Sequence, residues 1–300
     1  MKFYIADAFT ETTFGGNPAG VVILEKGQPF PEPAVMVKTA AELRYSETAF
    51  LSPLDGSAFE IRYFTPAAEV DLCGHATIAS FASLLDAELA QDDRDYTVKT
   101  RSGDLIVKLQ NGFVMMEMAS PVTLGTIREQ EKLELLYSIM GIPFEPVLAA
   151  CGCSQYVKLL PDMVSTGLPD IIMPVKNRET LNTISPDFPA LSRLSEEYQV
   201  TGVHAFTLDR EGFDVTAHCR NFAPLYDIDE EAATGTASGA LTWYLFSHGL
   251  IPDQKECAFI QGEAMERPSK ILTHIRTTDQ SARIQVGGNA AIVARGEIFL

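Results

Sequence analysis

Long hydrophobic runs are missing from this chain of 300 residues. The best apolar stretch, Ala76 to Leu85, falls far short of the roughly 20 residues that cross a bilayer, so no membrane span is expected. The N-terminus, Met1-Lys2-Phe3-Tyr4-Ile5-Ala6-Asp7, reaches a charge too early for a secretory signal. Cysteine is sparse: residues 73, 151, 153, 219 and 257 form an odd set with no C-x-x-C spacing. Neither a disulfide framework nor a zinc site is expected from them, and Cys151-Gly152-Cys153 lacks metal-ligand spacing. A reduced, cytoplasmic location is the expectation. Positive charge is scarce as well, 23 Lys and Arg against 40 Asp and Glu, for a net charge of −17. That deficit argues against nucleic acid and anionic membranes as partners. Nucleotide signatures fail too. In Gly15-Gly16-Asn17-Pro18-Ala19-Gly20, Asn17 stands where a dinucleotide fingerprint needs glycine, and Pro18 disrupts the turn. No Walker lysine follows a glycine-rich loop, and no serine nucleophile elbow is present.

What the chain does contain is an internal repeat. Gly16-x-Pro18 followed by a β-branched run recurs at Gly167-x-Pro169. Ala49-Phe50 recurs as Ala205-Phe206, and Arg62-x-Phe64-x-Pro66 as Arg220-x-Phe222-x-Pro224. Cys73-Gly74-His75-Ala76-Thr77 recurs as Thr234-Gly235-Thr236-Ala237-Ser238. The offset only grows along the chain, from about 151 to about 161 residues, as a duplication with small insertions requires. That period is too long for a solenoid and suits two related domains facing each other. At the position of Glu47 the second half carries Val203. The asymmetry predicts a site between the halves with a single carboxylate.

Hydrophobic periodicity predicts strands at the N-terminus (where Phe3, Ile5 and Ala8 alternate with polar residues), at 46–51 and at 59–64, and a helix over 34–43. Residues 96–118 read as a strand meander with turns at Ser102-Gly103-Asp104 and Asn111-Gly112. In the second half a helix is expected around 132–140, with strands near 156–160, 171–175, 205–208 and 214–219, and strand again over 257–300. Two further stretches, Gly74 to Leu89 and Gly235 to His248, are apolar on most of a helical circumference, so other structure must wrap them. The fold class expected is therefore α+β: two pseudo-symmetric domains, each a mixed, mostly antiparallel sheet or barrel around a central helix. The boundaries are 1–118 and 119–284, with a C-terminal strand, 285–300, available to return to the first domain.

Several residues could carry chemistry, each with a plainer reading beside it. The helix starts at Gly74 and Gly235 present unpaired N–H groups and a partial positive charge that can hold an anion; each glycine could equally be a tight turn. Cys73 sits at such a terminus, where a thiol pKa falls, or it simply packs there. Its counterpart is Thr234, so a mechanism with two opposed thiols is disfavoured. Glu47 opens a strand among apolar neighbours and could act as both acid and base, or be an exposed corner residue. His75 is a second proton carrier or a buried helix-start histidine. Glu230 and Glu231 either complement a helix dipole, or one of them binds a substrate amine.

These motifs, together with Ala6-Asp7-Ala8-Phe9, Ser46-Glu47-Thr48-Ala49-Phe50, Phe64-Thr65-Pro66, Glu69-Val70, Ala233-Thr234-Gly235-Thr236-Ala237, Gln261-Gly262 and Arg267-Pro268-Ser269, occur in one order from residue 4 to the C-terminus. The set resembles the phenazine-biosynthesis (PhzF-like) isomerase family, of the diaminopimelate-epimerase fold. The resemblance implies a cofactor-independent isomerase with no metal, a homodimer, and a small anionic or zwitterionic metabolite as ligand. It implies Glu47 and His75 as catalytic residues. It implies Asn17, Cys73, Gly74, Glu231, Thr234, Gly235 and Thr236 as substrate-binding ones. The family has Asp three residues before the Thr-Gly pair where this chain has Glu231. Cys73 matches the first thiol of the related epimerases while Thr234 replaces the second, which favours the single-carboxylate branch. The alternatives are an amino-acid epimerase using Cys73, or a metabolite-binding protein without turnover.

Overall fold

The computed structural model describes residues 1–151, 155–209, 214–278 and 281–300; Gly152 and Cys153 lie outside them. It divides into two compact units, one of residues 1–117 with 287–300 and the other of residues 118–286.

The first unit contains β1 (Lys2–Ala8), β2 (Asn17–Ile23), α1 (Pro33–Leu43), β3 (Thr48–Pro53), β4 (Ala58–Phe64) and β5 (Glu69–Val70). After them come α2 (Gly74–Asp86), β6 (Arg94–Thr100), β7 (Gly103–Gln110), β8 (Phe113–Glu117) and the last strand of the chain, β20 (Ala290–Glu297). Its sheet runs β20-β1-β2-β3-β4-β6-β7-β8. The β2–β3 and β4–β6 pairs are parallel and the rest antiparallel, with the short β5 laid on β4. The second unit contains β9 (Val122–Thr126), α3 (Gln130–Ile139), β10 (Val147–Cys151), β11 (Gln155–Leu159), β12 (Asp162–Ser165) and β13 (Pro169–Pro174). It continues with α4 (Arg178–Thr183), α5 (Phe188–Tyr198), β14 (Gly202–Thr207), β15 (Ala217–Ala223) and β16 (Ile228–Glu231). Its last elements are α6 (Gly235–Ser247), β17 (Glu256–Gln261), β18 (Ser269–Thr278) and β19 (Ser281–Gly288). Its sheet runs β9-β12-β13-β14-β15-β17-β18-β19, with β13–β14 and β15–β17 parallel and β16 laid on β15. Strand order and the sites of parallel pairing match the first unit. The repeat in the sequence is thus a repeat of topology.

Each sheet closes around a helix that is apolar nearly all round. In α2, Ala76, Ile78, Ala79, Phe81 and Leu84 are fully buried, and so are Thr77, Ser80 and Ser83. Those three hydroxyls donate to the carbonyls one turn back, Cys73, Ala76 and Ala79, so their burial leaves no donor unsatisfied. In α6, Ser238 and Thr242 do the same toward Thr234 and Ser238. Helix α2 ends at Asp86, short of the expected Leu89, because Glu88 turns left-handed (φ 57°). The Leu84 carbonyl then takes the N–H groups of Leu89 and Ala90, and the Leu85 carbonyl that of Glu88.

The outer faces carry separate cores. Helix α1 lays Met36 and Ala40 on Val22, Phe50 and Phe64. Phe3 joins this cluster from β1 while Tyr4, Ala6 and Ala8 are the fully buried positions, so β1 is covered on both faces, not alternating as expected. In the second unit α3, α4 and α5 cover Ile171, Met173, Val203, Ala205 and Phe222. The expected strand at 214–219 begins later, at Ala217.

On the other face of the second sheet, toward α6, lies a buried polar row. Asn221 Nδ2 is 3.3 Å from His204 Nδ1, and Asp170 also bonds to Asn221. Burial pushes the Asp170 carboxyl up to about 7 and the His204 imidazole down to about 3. From its ordinary value of 3.8 up to about pH 7, the folded chain keeps a proton at Asp170 that the unfolded chain has lost. Stability therefore falls as pH rises through that window. His204 acts oppositely, since between about pH 3 and its ordinary 6.5 the unfolded chain binds the proton that the folded chain refuses. Urea unfolding at stepped pH should separate the two. Asp170→Asn should leave stability climbing with pH up to about 6.5, and His204→Gln should leave it declining from about pH 4 to 7. Identical pH profiles for both variants and the parent would refute the assignment.

Candidate active site

Glu47 is positioned from two sides. Helix α1 stops at Arg44, which adopts a left-handed conformation (φ 61°) and returns its N–H to Ala40. The chain then enters β3 through Ser46 and Glu47, and Gly20 of the parallel strand β2 donates its N–H to the Glu47 carbonyl at 3.3 Å. A Cβ on Gly20 would sit 2.9 Å from Thr48 Oγ1 and 3.0 Å from Leu43 Cδ1, so a side chain there would displace those two side chains, which flank the entry to β3.

The other members of the site come from the first turn of α2. Cys73 is its N-cap residue, extended at φ −141°, ψ 117°, and its side chain caps nothing. His75, 5% exposed, points inward from the first turn. Its Nε2 lies 3.3 Å from Glu47 Oε2 and 3.4 Å from Ser46 Oγ, and its Nδ1 lies 3.5 Å from Cys73 Sγ. Glu47 is 14% exposed at its side chain, and Oε2 is out of solvent without a well-aligned hydrogen bond. A carboxylate oxygen, an imidazole and a thiol thus stand in one compact cluster of proton-carrying groups. All three lie at the positive end of a helix, where negative charge is favoured. Their ligand-capable atoms fall within 4.8 Å of one another. Gly74 lies between them in the chain; a Cβ there would meet Met116 Cε at 3.2 Å. Asn17 is buried at the start of β2, opposite Ala8 and ahead of Gly20.

The second unit gathers the remaining candidates. Thr234 caps α6 with nearly the backbone of Cys73, φ −128° and ψ 100°. Its hydroxyl donates to Glu231 Oε2 at 2.6 Å. Gln261, fully buried at the end of β17, accepts from Thr234 N–H and donates to the Glu231 carbonyl and to Thr234 Oγ1. It clamps the strand before the helix to the helix start. The sequence motif Gln261-Gly262 carried this residue without showing its task, because nothing local relates it to Thr234. Glu230 is not available to a ligand amine. Arg220 holds it through two parallel bonds of 2.8 and 2.7 Å. In the first unit Arg62 holds Glu69 through two bonds of 2.8 Å. Both arginines also lie over the Phe of the repeated Arg-x-Phe motif, Phe64 and Phe222. The repeat preserves this brace and varies the residues at the helix starts, where Thr236 replaces His75. A shallow groove of about 420 Å³ beside Arg62, Glu69 and Arg101 is lined by charges already paired with one another.

The model of the phenazine biosynthesis-like protein family matches residues 6–296. The chain belongs to that family. An uncharacterized isomerase of Clostridium acetobutylicum is 33% identical over all of this chain and 98% of its own length. A trans-2,3-dihydro-3-hydroxyanthranilate isomerase of Pseudomonas fluorescens is 30% identical, covering all of this chain and 99% of its own. A solved PhzF-family structure from Bacillus anthracis superposes with a TM-score of 0.86 over all of this chain and 99% of its own, at 24% identity. The fold is that of the diaminopimelate epimerases, and the protein is a phenazine biosynthesis-like isomerase. Among the described residues no helix is long and apolar enough to cross a membrane.

Gly262, directly after Gln261, sits where only glycine fits. Its φ is 81°, and a Cβ would lie 2.7 Å from the Ala232 carbonyl oxygen and closer still to that of Arg267. Gly262→Ala should destabilise the protein by about 1–3 kcal/mol from backbone strain, before any clash is counted. The loss should appear as a lowered urea midpoint. A midpoint equal to the parent's would show that the loop relaxes freely.

Proposed function

We propose that the protein shifts a proton on a small carboxylate-bearing metabolite without a resident cofactor, with Glu47 as acid and base and His75 as its partner. The observation that carries this reading is the sheltered Glu47 Oε2 facing His75 Nε2 at the positive end of α2. The carboxylate removes a proton from carbon, and the electron pair left behind spreads into the substrate's conjugated system. Protonated Glu47, or His75 relaying through Nε2, then returns a proton to another carbon. Partial positive charge at the start of α2 stabilises the anion that builds up meanwhile. Substrate-holding roles are proposed for Asn17, Cys73 and Gly74 in the first unit and for Glu231, Thr234, Gly235 and Thr236 in the second. The Pseudomonas fluorescens relative is named for a hydroxyanthranilate, a carboxylate that also bears an amine. That supports a ligand of zwitterionic character here. A cytoplasmic homodimer is proposed as its working form.

A second reading has its own observation. Cys73 Sγ at 3.5 Å from His75 Nδ1 is a thiol with a proton acceptor beside it, as an epimerase base requires. Turnover in D₂O distinguishes the two. An allylic-type shift places deuterium at the carbon that gains the proton, whereas epimerisation labels the stereocentre with inversion. Glu47→Gln should lower turnover by about 10²–10⁴-fold with the fold intact, while Cys73→Ala should cost less than about tenfold. Full activity in Glu47→Gln would remove the carboxylate from the mechanism. Equal losses in both variants would move the base to sulfur.

A further inference from the structure

We propose that Glu47, Cys73 and His75 also form a binding site for a thiophilic divalent cation, Zn²⁺ or its analogue Cd²⁺, and that the bound ion inhibits the isomerase. The inhibitory part rests on the proton-transfer role given above to Glu47 and His75; the binding part rests on geometry alone. Tetrahedral zinc with bonds of about 2.3 Å to sulfur and 2.0–2.2 Å to nitrogen and oxygen sets neighbouring ligands about 3.3–3.6 Å apart. Here His75 Nε2 stands 3.3 Å from Glu47 Oε2 and 4.0 Å from Cys73 Sγ. Because Cys73 Sγ also stands 3.5 Å from Nδ1, the thiol must turn toward Glu47 to complete the set. Among the described residues this is the one group of three such side chains whose ligand atoms all lie within 4.8 Å.

The donors decide which ion. Sulfur and imidazole nitrogen select zinc-like metals, while Mg²⁺ and Ca²⁺ want oxygen throughout. Three protein ligands leave a fourth position open, as in zinc sites that exchange ligands. The charges balance as well. Binding breaks the Cys73 S–H bond, forms the metal–sulfur bond and releases the proton to solvent. Thiolate and carboxylate together then neutralise the dication, which offsets the positive helix terminus. The Glu47 oxygen and the imidazole lone pair are then committed to the metal, so neither can carry the substrate's proton.

Titration of the metal-free protein with Cd²⁺, followed by thiolate-to-cadmium absorption in the ultraviolet, tests this directly. Saturation at one ion per chain with release of one proton is expected, and Mg²⁺ should produce neither signal. Cys73→Ser should abolish the band, and His75→Gln should weaken binding by at least the roughly 10–100-fold that even an outer-sphere partner is worth. Circular dichroism checks the fold of each variant, with Cys73→Ala standing in if the serine variant is unfolded. Turnover should fall in step with occupancy and return on chelation. The absence of a band at stoichiometric Cd²⁺, a band that survives in Cys73→Ser, or turnover that rises with metal would each overturn the proposal. Should Glu47→Gln keep full turnover, the carboxylate mechanism fails while the Cys73-dependent band still reports the site.

Discussion

Everything in this fold follows from wrapping a sheet around a helix that has almost no polar face. A helix so enclosed meets water or a ligand mainly through its ends, because strands cover most of its circumference. The buried serines and threonines of α2 and α6, Thr77, Ser80, Ser83, Ser238 and Thr242, are compatible with that enclosure because each turns its hydroxyl onto the carbonyl four residues back. The first N–H groups have no such outlet, since a helix start has no preceding turn. Neither Cys73 nor Thr234 supplies a capping side chain. The electrostatic need of the buried helix is therefore concentrated where the chain has placed Glu47 and His75 in one unit, and Glu231 and Thr234 in the other.

The two units show which parts of that arrangement duplication conserved and which it released. The arginine brace survives twice, Arg62 with Glu69 and Arg220 with Glu230, in each case reaching both carboxylate oxygens and lying over the neighbouring phenylalanine. The extra hold that Arg220 takes on the carbonyls of Leu181 and Ile184 reflects the added helix of the second unit. The sequence repeat sets Val203 at the position of Glu47, but the strand registers correct this: Val203 lies opposite Phe222 as Thr48 lies opposite Phe64, so the counterpart of Glu47 is Gly202. A side chain on Gly202 would run into the Phe222 carbonyl, so the second unit has no room for a carboxylate at that place.

Much of this was legible along the chain, and what was not has a physical reason. Helices α1, α2 and α6 announced themselves by apolar spacing and by glycine just beyond α6, where Gly249 indeed turns left-handed (φ 68°). The Asn111-Gly112 turn carries positive φ at both residues, as its hairpin requires. Helices α4 and α5 were missed, although Asn177 and Asp187 cap them with side-chain oxygens bonded to Thr180 and Ala190 N–H. The signal was the capping residue, followed in α5 by Pro189. In the short α4 only Leu181 reaches the core, whereas in α5 Phe188 and Tyr198 pack beside the buried Leu191 and Leu194 at helical spacing, so α5 was there to be read.

The candidate site divides along the same line. Cys73, Gly74 and His75 were visible together because a helix start keeps its residues adjacent in sequence. Glu47 entered through the repeat, as the position where the halves disagree. The residue that no local pattern could place is Gln261, whose amide closes the gap between Glu231 and Thr234 from a strand that follows α6. A buried amide satisfied on both its oxygen and its nitrogen fixes its neighbours more firmly than either could fix the other. Replacing the family's Asp by Glu231 adds a methylene in front of that clamp, and Thr234 Oγ1 takes up the carboxylate at 2.6 Å. The longer side chain is thus tied down at the helix start instead of swinging free, so its reach is set by the cap and not by its own rotamers.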